Sequence, residues 1–571
     1  MESIEGKKRH NRIEQSYIGR GEYPVKSLVT YLSTLNLRNS ISMASLVIAL
    51  VIITGCSTSQ STSTPPAEST STSIHTEHSM SMDHIGTTAI APEGSVSKRP
   101  AQITRTPQTI KSKTINLIAQ TSYLEIEKGK FLPVWTFNHS VPGPQIEVMQ
   151  GDTVNIHLKN QLKVPVSLHV HGVVLPNDMD GVPGMTQDAI QPGESFTYTF
   201  KANHAGTYWY HSHQDSLNQI GKGLYGSFIV KQKQDNVSAD HTLVLDEWSD
   251  PNTVVPANEN NTLAINSNMG AYNIYTVNGR SGDDIEPIVV HQGDHVRLRL
   301  IHAGNMTQTL YIHSSAYRVT ATDGQDINQP QLLNNGLLVI APGERYDIEF
   351  TADQTGLAWI GMVGKSTLAQ SVRIPILIKK ANTTPTSTEI QQQISAQRKQ
   401  MTSIPDITQP SLDLTTYGQP TKSEFTLSST FDREYTLDLD MGVIDGKMSY
   451  TINKEAYPQV SQLKVKTGEA VKITLINESK NEDHPMHLHG HSFEVLSKNG
   501  QALTGSPIWK DTINVRPGDT YVIAFRANNP GMWMVHCHEL HHAAMGMMTD
   551  VIYEDFESQY HPDPAAGNIS E

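Results

Sequence analysis

Apolar and polar residues alternate along most of this chain in short runs, and the runs recur in the same order three times. A run headed by glycine and an acidic residue begins at Gly151-Asp152-Thr153-Val154, at Gly293-Asp294-His295-Val296 and at Gly468-Glu469-Ala470-Val471, and each continues with alternating apolar positions. Successive side chains of a strand face opposite sides of a sheet, so this alternation predicts half-buried strands. About 40 to 50 residues later comes Pro-Gly-acidic and a second run, at Pro192-Gly193-Glu194, Pro342-Gly343-Glu344 and Pro517-Gly518-Asp519. Trp209, Trp359 and Trp533 mark the next strand of each repeat. The pattern predicts an all-β chain of three similar modules, each an antiparallel sandwich. Residues 381–423 are polar, rich in Thr, Ser, Gln and Pro, and read as a linker with a short helix within 389–401. The 571 residues suffice for several domains with ample core.

The three modules differ in chemistry. The third carries His484-Pro485-Met486-His487-Leu488-His489-Gly490-His491 and His536-Cys537-His538-Glu539-Leu540-His541-His542, closing at Met547. On a strand, His536 and His538 share one face while Cys537 points to the other, so one segment serves two metal sites. A cysteine, two histidines and a weakly held methionine form the ligand set of a blue-copper electron-transfer site. Cys537, His542 and Met547 supply three of these, and His484 is the candidate for the fourth, which leaves His487 and His489 as a same-face pair. The first module carries two further pairs, His169-Val170-His171-Gly172 and Trp209-Tyr210-His211-Ser212-His213, with Ser212 where the third module has Cys537. In the middle module Trp359-Ile360-Gly361-Met362 has no histidine pair, which predicts a spacer. The faces of the first and third modules must then meet around eight imidazoles. Imidazoles suit copper, zinc or iron; the neighbouring Cys, His and Met favour copper.

These four motifs resemble those of the multicopper oxidase family, the laccases, ascorbate oxidases and bacterial copper-efflux oxidases, over roughly residues 115–555. The resemblance implies three cupredoxin-like Greek-key β-sandwich domains, at 113–235, 236–380 and 424–557. The first and third would each give half of a trinuclear copper site, the third would hold the type 1 copper, and the second none. Carried over by position, the type 1 ligands are His484, Cys537, His542 and Met547. The type 2 ligands are His169 and His487, and the type 3 ligands are His171, His211, His213, His489, His536 and His538, for about four copper ions in all. Four one-electron oxidations of substrate at the type 1 site would be coupled to reduction of dioxygen to water at the cluster.

Asp180, in Asp178-Met179-Asp180-Gly181, matches by position an acidic residue that relatives use near the cluster, which makes it a candidate proton donor; a turn aspartate before Gly181 is the other reading. Some bacterial relatives place a glutamate directly after the type 1 histidine. Here Ala543 stands there, and Glu539 is a candidate substitute. Their Met-rich helical insert is not evident, since Met401 is the linker's only methionine. Met532, Met534, Met545 and Met548 are expected to pack around the type 1 site, with Met441, Met448, Met545 and Met548 also candidates for admitting Cu(I). His491 is expected not to bind copper, His541 to face solvent, and His204, His291, His302 and His313 to lie in surface or core.

A basic opening with Lys7, Lys8, Arg9 and Arg38 precedes an apolar run over 43–53, too short for a membrane span, which ends in Ile53-Thr54-Gly55-Cys56. That ending resembles a lipobox, so 1–56 reads as a lipoprotein-type signal peptide, with Cys56 lipidated; an uncleaved signal anchor is the alternative. Residues 57–112 read as a Ser/Thr/Pro-rich disordered stalk. Within it His75, His78, Met80, Met82 and His84 form either a loose copper-capturing patch or a solvated spacer. Residues 558–571 read as a tail. The only two cysteines, Cys56 and Cys537, are both assigned, so no intrachain disulfide is expected. A net charge of -14 argues against nucleic acid and is compatible with attracting cations.

The expected protein is a monomer outside the cytoplasm, lipid-anchored at the outer face of a bacterial membrane or periplasmic. Its leading reading is a cuprous oxidase conferring copper tolerance. A laccase oxidising phenols or aromatic amines is the alternative, Mn(II) and Fe(II) remain open as substrates, and a non-enzymatic copper-sequestering protein is the reading of another class.

Overall fold

The computed structural model describes residues 99–250, 272–313, 316–353, 356–364, 372–380, 386–399, 401 and 411–571, all within one compact unit, Met80–Glu571. Cys56 and the His/Met patch at 75–84 lie outside the described residues. Among the described residues six sheets fall into three successive pairs along the chain, of four and five, six and five, and seven and five strands. Each pair is one cupredoxin-like sandwich.

The repeated signals fold as they read. The glycine-headed runs form strands Thr153–Asn160, His295–His302 and Ala470–Asn477. The Pro-Gly-acidic turns lead into Ser195–Lys201, Arg345–Thr351 and Thr520–Arg526. In every module the two strands pair antiparallel with the same residues opposite each other: Val154 with Phe200, Val296 with Phe350 and Val471 with Phe525. The alternation holds inside them, since Val154, Ile156 and Leu158 are fully buried while Thr153 and Lys159 are exposed. A one-residue slip would turn that apolar face to solvent, so register is strongly specified.

The sheets are mixed, where the alternation alone predicts antiparallel ones. Each module opens with a strand that runs parallel to its glycine-headed strand, placing Ile115 beside Ile156, Leu243 beside Leu300 and Leu437 beside Leu475. In the first module the intervening chain passes through Gly143–Met149 in the facing sheet before returning, and such a crossover brings the next strand back in the same direction.

The linker forms a helix over Ser387–Arg398, and Arg398 Nη2 donates to the Ile285 carbonyl (2.6 Å). The expected stalk ends earlier than 112, because Thr109–Ile110 adds a strand parallel to Gly143–Met149 and Thr104 N donates to Tyr123 O (2.7 Å). Strand addition needs only backbone groups, so a segment poor in apolar residues can still join a sheet. Among the described residues no helix is long and apolar enough to cross a membrane.

Candidate metal centre

The first and third modules each present two adjacent strands carrying histidines. In the first, His169–His171 pairs with Gly206–His211, setting His169 opposite His211. In the third, His484–Leu488 pairs with Met532–Cys537, setting His487 opposite His536. The eight paired histidines are all buried. Their ligand atoms gather within 4.8 Å of one another in the sets His171, His211, His538 and His213, His489, His536, while His169 and His487 meet in a set with His171. Each set takes histidines from both modules, so neither module can form the cage alone.

On the other face of the same strand, His484, Cys537 and His542 form a further set. Cys537 Sγ lies 3.5 Å from His542 Nδ1 and 3.9 Å from His484 Nδ1, and the two Nδ1 atoms are 3.2 Å apart. Backbone bonds hold Met547 between these ligands: its carbonyl accepts from Cys537 N (3.1 Å) and its amide donates to His542 O (3.0 Å). Met547 is fully buried. The His542 ring lies against Tyr450 at 3.8 Å between centroids.

The donor atoms of the cage fit metal ions. His169, His211, His213 and His487 each place Nδ1 2.9 Å from a backbone carbonyl, those of Asp180, Ser212, Ser570 and Asp511. A proton on Nδ1 leaves Nε2 as the free acceptor, and all four Nε2 atoms are buried without a hydrogen-bond partner. His171 is reversed, with Nε2 3.1 Å from Asp511 Oδ1 and 3.0 Å from Thr512 Oγ1, and Nδ1 unpartnered. Each orphaned buried polar atom costs about 1–3 kcal/mol. Several turned to one point, each with its other nitrogen fixed, is the arrangement of metal-ligating imidazoles. Burial first, and then the neighbouring imidazoles, hold His171, His211, His213, His489, His536 and His538 below the usual histidine range, which keeps them neutral and able to ligate. Burial, reinforced by Glu539, pushes the Cys537 thiol well up. Such a thiol gives up its proton to a coordinated metal.

The candidate acids separate. Gly181 folds the Asp180 turn back onto the histidine strand at φ +80°, where a Cβ would meet Leu168 O at 1.9 Å. Asp180 is fully buried, with Oδ2 2.9 Å from His489 Nδ1 and Oδ1 3.2 Å from His169 Nδ1. It therefore stands beside the cage. Glu539 caps the helix Leu540–Ala544 by accepting from His542 N, with Oε1 2.6 Å from His541 Nδ1 and Oε2 2.9 Å from His542 Nε2. Burial raises its pKa, but the His542 and His541 imidazoles outweigh that and hold it well below the usual carboxylate range. Capping turns Glu539 toward the cysteine site, so it does not substitute for a cage acid. His541, expected in solvent, is buried against Glu539. His491 bonds His489 O (3.1 Å) and Tyr553 OH (2.7 Å), a satisfied core histidine. Met534 and Met548 are buried with Val182, Met185 and Ala543, and Met532 packs against that cluster.

The middle module is more than a spacer. Gly343 comes so close that a Cβ there would meet His538 at 3.0 Å and His171 at 3.2 Å. Fully buried Arg345 grips Asp511 of the third module through two 2.7 Å bonds, and Asp511 in turn contacts His171 of the first. Arg345, Asp511 and Thr512 belong to none of the histidine motifs. The one local signal was Arg345 following the middle Pro-Gly-acidic turn, where the other modules have Ser195 and Thr520. Glu571, likewise outside every motif, lies with Oε1 3.1 Å from His213 Nε2.

Sequence models described as multicopper oxidase match residues 119–235, 239–378 and 420–557. The chain is 27% identical to multicopper oxidase MmcO of Mycobacterium tuberculosis, over 78% of this chain and 88% of that protein. It is 24% identical to copper resistance protein A of Escherichia coli, over 74% and 89%. Among solved structures it resembles a multi-copper oxidase from Pseudomonas thermotolerans (25% identity, TM-score 0.59, 78% of this chain and 100% of that one). With three multicopper oxidase models matched along most of its length, and histidine clusters that could hold metal ions, the chain belongs to the multicopper oxidase family and is a copper-binding oxidoreductase.

Proposed function

We propose that this enzyme is a cuprous oxidase of copper tolerance, acting outside the cytoplasm and anchored through Cys56. The carrying observation is the charge around the cysteine site. Glu482 and Asp483 directly precede His484, and Glu539 Oε2 is 2.9 Å from His542 Nε2. Carboxylates beside the electron-accepting site favour a cation over a neutral phenol. The relative named copper resistance protein A supports the same reading.

The residues divide the work. His484, Cys537, His542 and Met547 are the type 1 ligands. His169 and His487 hold the type 2 ion, and the triads His171, His211, His538 and His213, His489, His536 hold the type 3 pair, for about four coppers. Bound copper supplies one-electron oxidation at the first site and four-electron reduction of dioxygen at the cage. Cys537 is joined through its own peptide bonds to His536 and His538, so the two sites share a covalent path. Asp180 accepts from His489 and stands beside His169, which orients both rings and places an acid where dioxygen reduction consumes protons. Asp511 orients His171 and His487, with Arg345 balancing its charge.

Oxygen uptake by the copper-loaded, detergent-solubilised chain, offered chelated Cu(I) and a diphenol separately, tests the reading. Saturable uptake preferring Cu(I) is expected. Preference for the diphenol makes it a laccase, and copper held without oxygen uptake makes it a sequestering protein.

A further inference from the structure

The helix Leu540–Ala544, which carries His542, is a single turn. A helix that short has almost no stability of its own, so its direction is set by what it packs against. Two tethers lie within its own module: Glu539 caps it, and the Met547 amide donates to the His542 carbonyl (3.0 Å). Its outer side belongs to the other modules. Among the described residues Leu540, 1% exposed, is the one third-module member buried in an apolar cluster that contains Trp248, Tyr272 and Ile301 of the middle module and Trp209 and Ile220 of the first. Tyr272 meets the His541 ring edge-on, at 6.0 Å between centroids.

The first turn of a helix has N–H groups with no partner inside the helix. Leu540 N finds its acceptor in the middle module, where Asn305 Oδ1 lies 3.4 Å away. Asn305 is itself buried, and three side chains seat it. Glu247, buried at the end of strand Ala239–Trp248, accepts through Oε1 from the Asn305 and Met306 amides and through Oε2 from Gln308 Nε2 (3.3 Å). Gly304 lies so close to that carboxylate that a Cβ would meet Oε2 at 2.1 Å. His302 closes the turn from the other side. Its Nε2 lies 2.8 Å from the Met306 carbonyl and so carries the proton, which leaves Nδ1 to accept from Gly304 N (3.1 Å). Asn305 Nδ2 then donates to Tyr272 OH (2.8 Å), and Oδ1 is left facing the helix. Burying two ionisable side chains to brace one short turn costs free energy that a plain surface turn would avoid. What the braced turn presents to the third module is the Asn305 amide.

We infer that Asn305, held by Glu247, His302 and Tyr272, is a positioning residue for the copper of the cysteine site. Through Leu540 the middle module fixes how the one-turn helix sits, and with it the direction in which His542 Nδ1 faces Cys537 Sγ, 3.5 Å away. This rests on the reading that His484, Cys537, His542 and Met547 hold copper. The geometry of a Cys and two His around copper sets its absorption and potential, and groups behind the ligands tune both. Asn305 acts through a backbone amide, so it can be changed with all four ligands in place.

The test uses the copper-loaded full chain at a temperature well below unfolding. Copper count, cysteine-site absorption and the equilibrium of that site with a one-electron redox partner of known potential are recorded together. Asn305→Ala is expected to keep the wild-type copper count and the cage signals, to shift the absorption, and to displace the redox equilibrium by about tenfold, which is about 59 mV for one electron. Tyr272→Phe removes only the hydroxyl that orients the Asn305 amide. It is expected to move the same two readings in the same direction by less, and it carries the test if the alanine variant does not fold. A contact that serves stability alone lowers the melting temperature and leaves both readings at their wild-type values. That result in Asn305→Ala, or in Tyr272→Phe where the alanine variant does not fold, overturns the proposal. A wild-type chain that takes up copper without cysteine-site absorption overturns the reading beneath it, and is recognised before any variant is made.

Discussion

The first and third modules place histidines on the same pair of neighbouring strands, yet only the third builds a second site on the back of one. His211 and His213 flank Ser212 as His536 and His538 flank Cys537. Ser212 Oγ donates to Gln219 Oε1 (2.7 Å) and closes a local polar contact. Cys537 Sγ instead faces two imidazoles, His484 at the start of the neighbouring strand and His542 on a one-turn helix. A shared scaffold can thus supply half a cage twice, while an electron-entry site needs the cysteine and the surrounding ligands together.

Substitution of Cys537→Ser makes the third module resemble the first. We expect loss of the cysteine-site absorption and a fall in substrate oxidation of more than about a thousandfold, with the cage coppers retained; copper analysis and oxygen uptake report both. Breaking the clamp between the modules comes next. Arg345→Met leaves the buried Asp511 charge uncompensated, and thermal unfolding should show a loss of about 3–5 kcal/mol. Asp180→Asn should slow reoxidation of the reduced enzyme by about a hundredfold with the cysteine-site spectrum intact, as followed by rapid mixing with oxygen; an unchanged rate removes Asp180 from proton delivery.

A smaller difference lies one strand over. Pairing sets His211 opposite Tyr225 and His536 opposite Met548, so Ser227 and Asp550 occupy equivalent positions two residues on. Burial pushes Asp550 up to about 7. A carboxyl raised in the folded state stays protonated while the unfolded chain ionises, so it destabilises increasingly as pH rises from about 4 and fully above 7. Asp550→Asn should therefore stabilise the protein by about 1–2 kcal/mol at pH 9 and not at pH 4, read from melting temperatures at both. Smallest of all, Ser212→Cys should leave the absorption spectrum unchanged, because Gln219 rather than a histidine pair meets that position.

What could be read in the sequence was what repeats or what is spaced locally. The three glycine-headed runs predicted strands whose pairing the structure repeats, and the histidine pairs and Cys537 sit within a few residues of their motif partners. Parallel opening strands were hidden because alternation says which face is buried and not which way a neighbour runs. Asp511 was hidden because its contact with His171, in the other copper-bearing module, spans 340 residues. Glu539 was misplaced because its direction depends on helix capping, and Glu571 was missed because a polar tail carries no periodicity to announce docking.

The central claim is that electrons entering beside Cys537 leave by reducing dioxygen fully at the histidine cage. The most direct measurement is the ratio of Cu(I) oxidised to dioxygen consumed by the copper-loaded chain, with hydrogen peroxide assayed in the same vessel. The account predicts four Cu(I) per dioxygen and no peroxide; two per dioxygen with matching peroxide would contradict it.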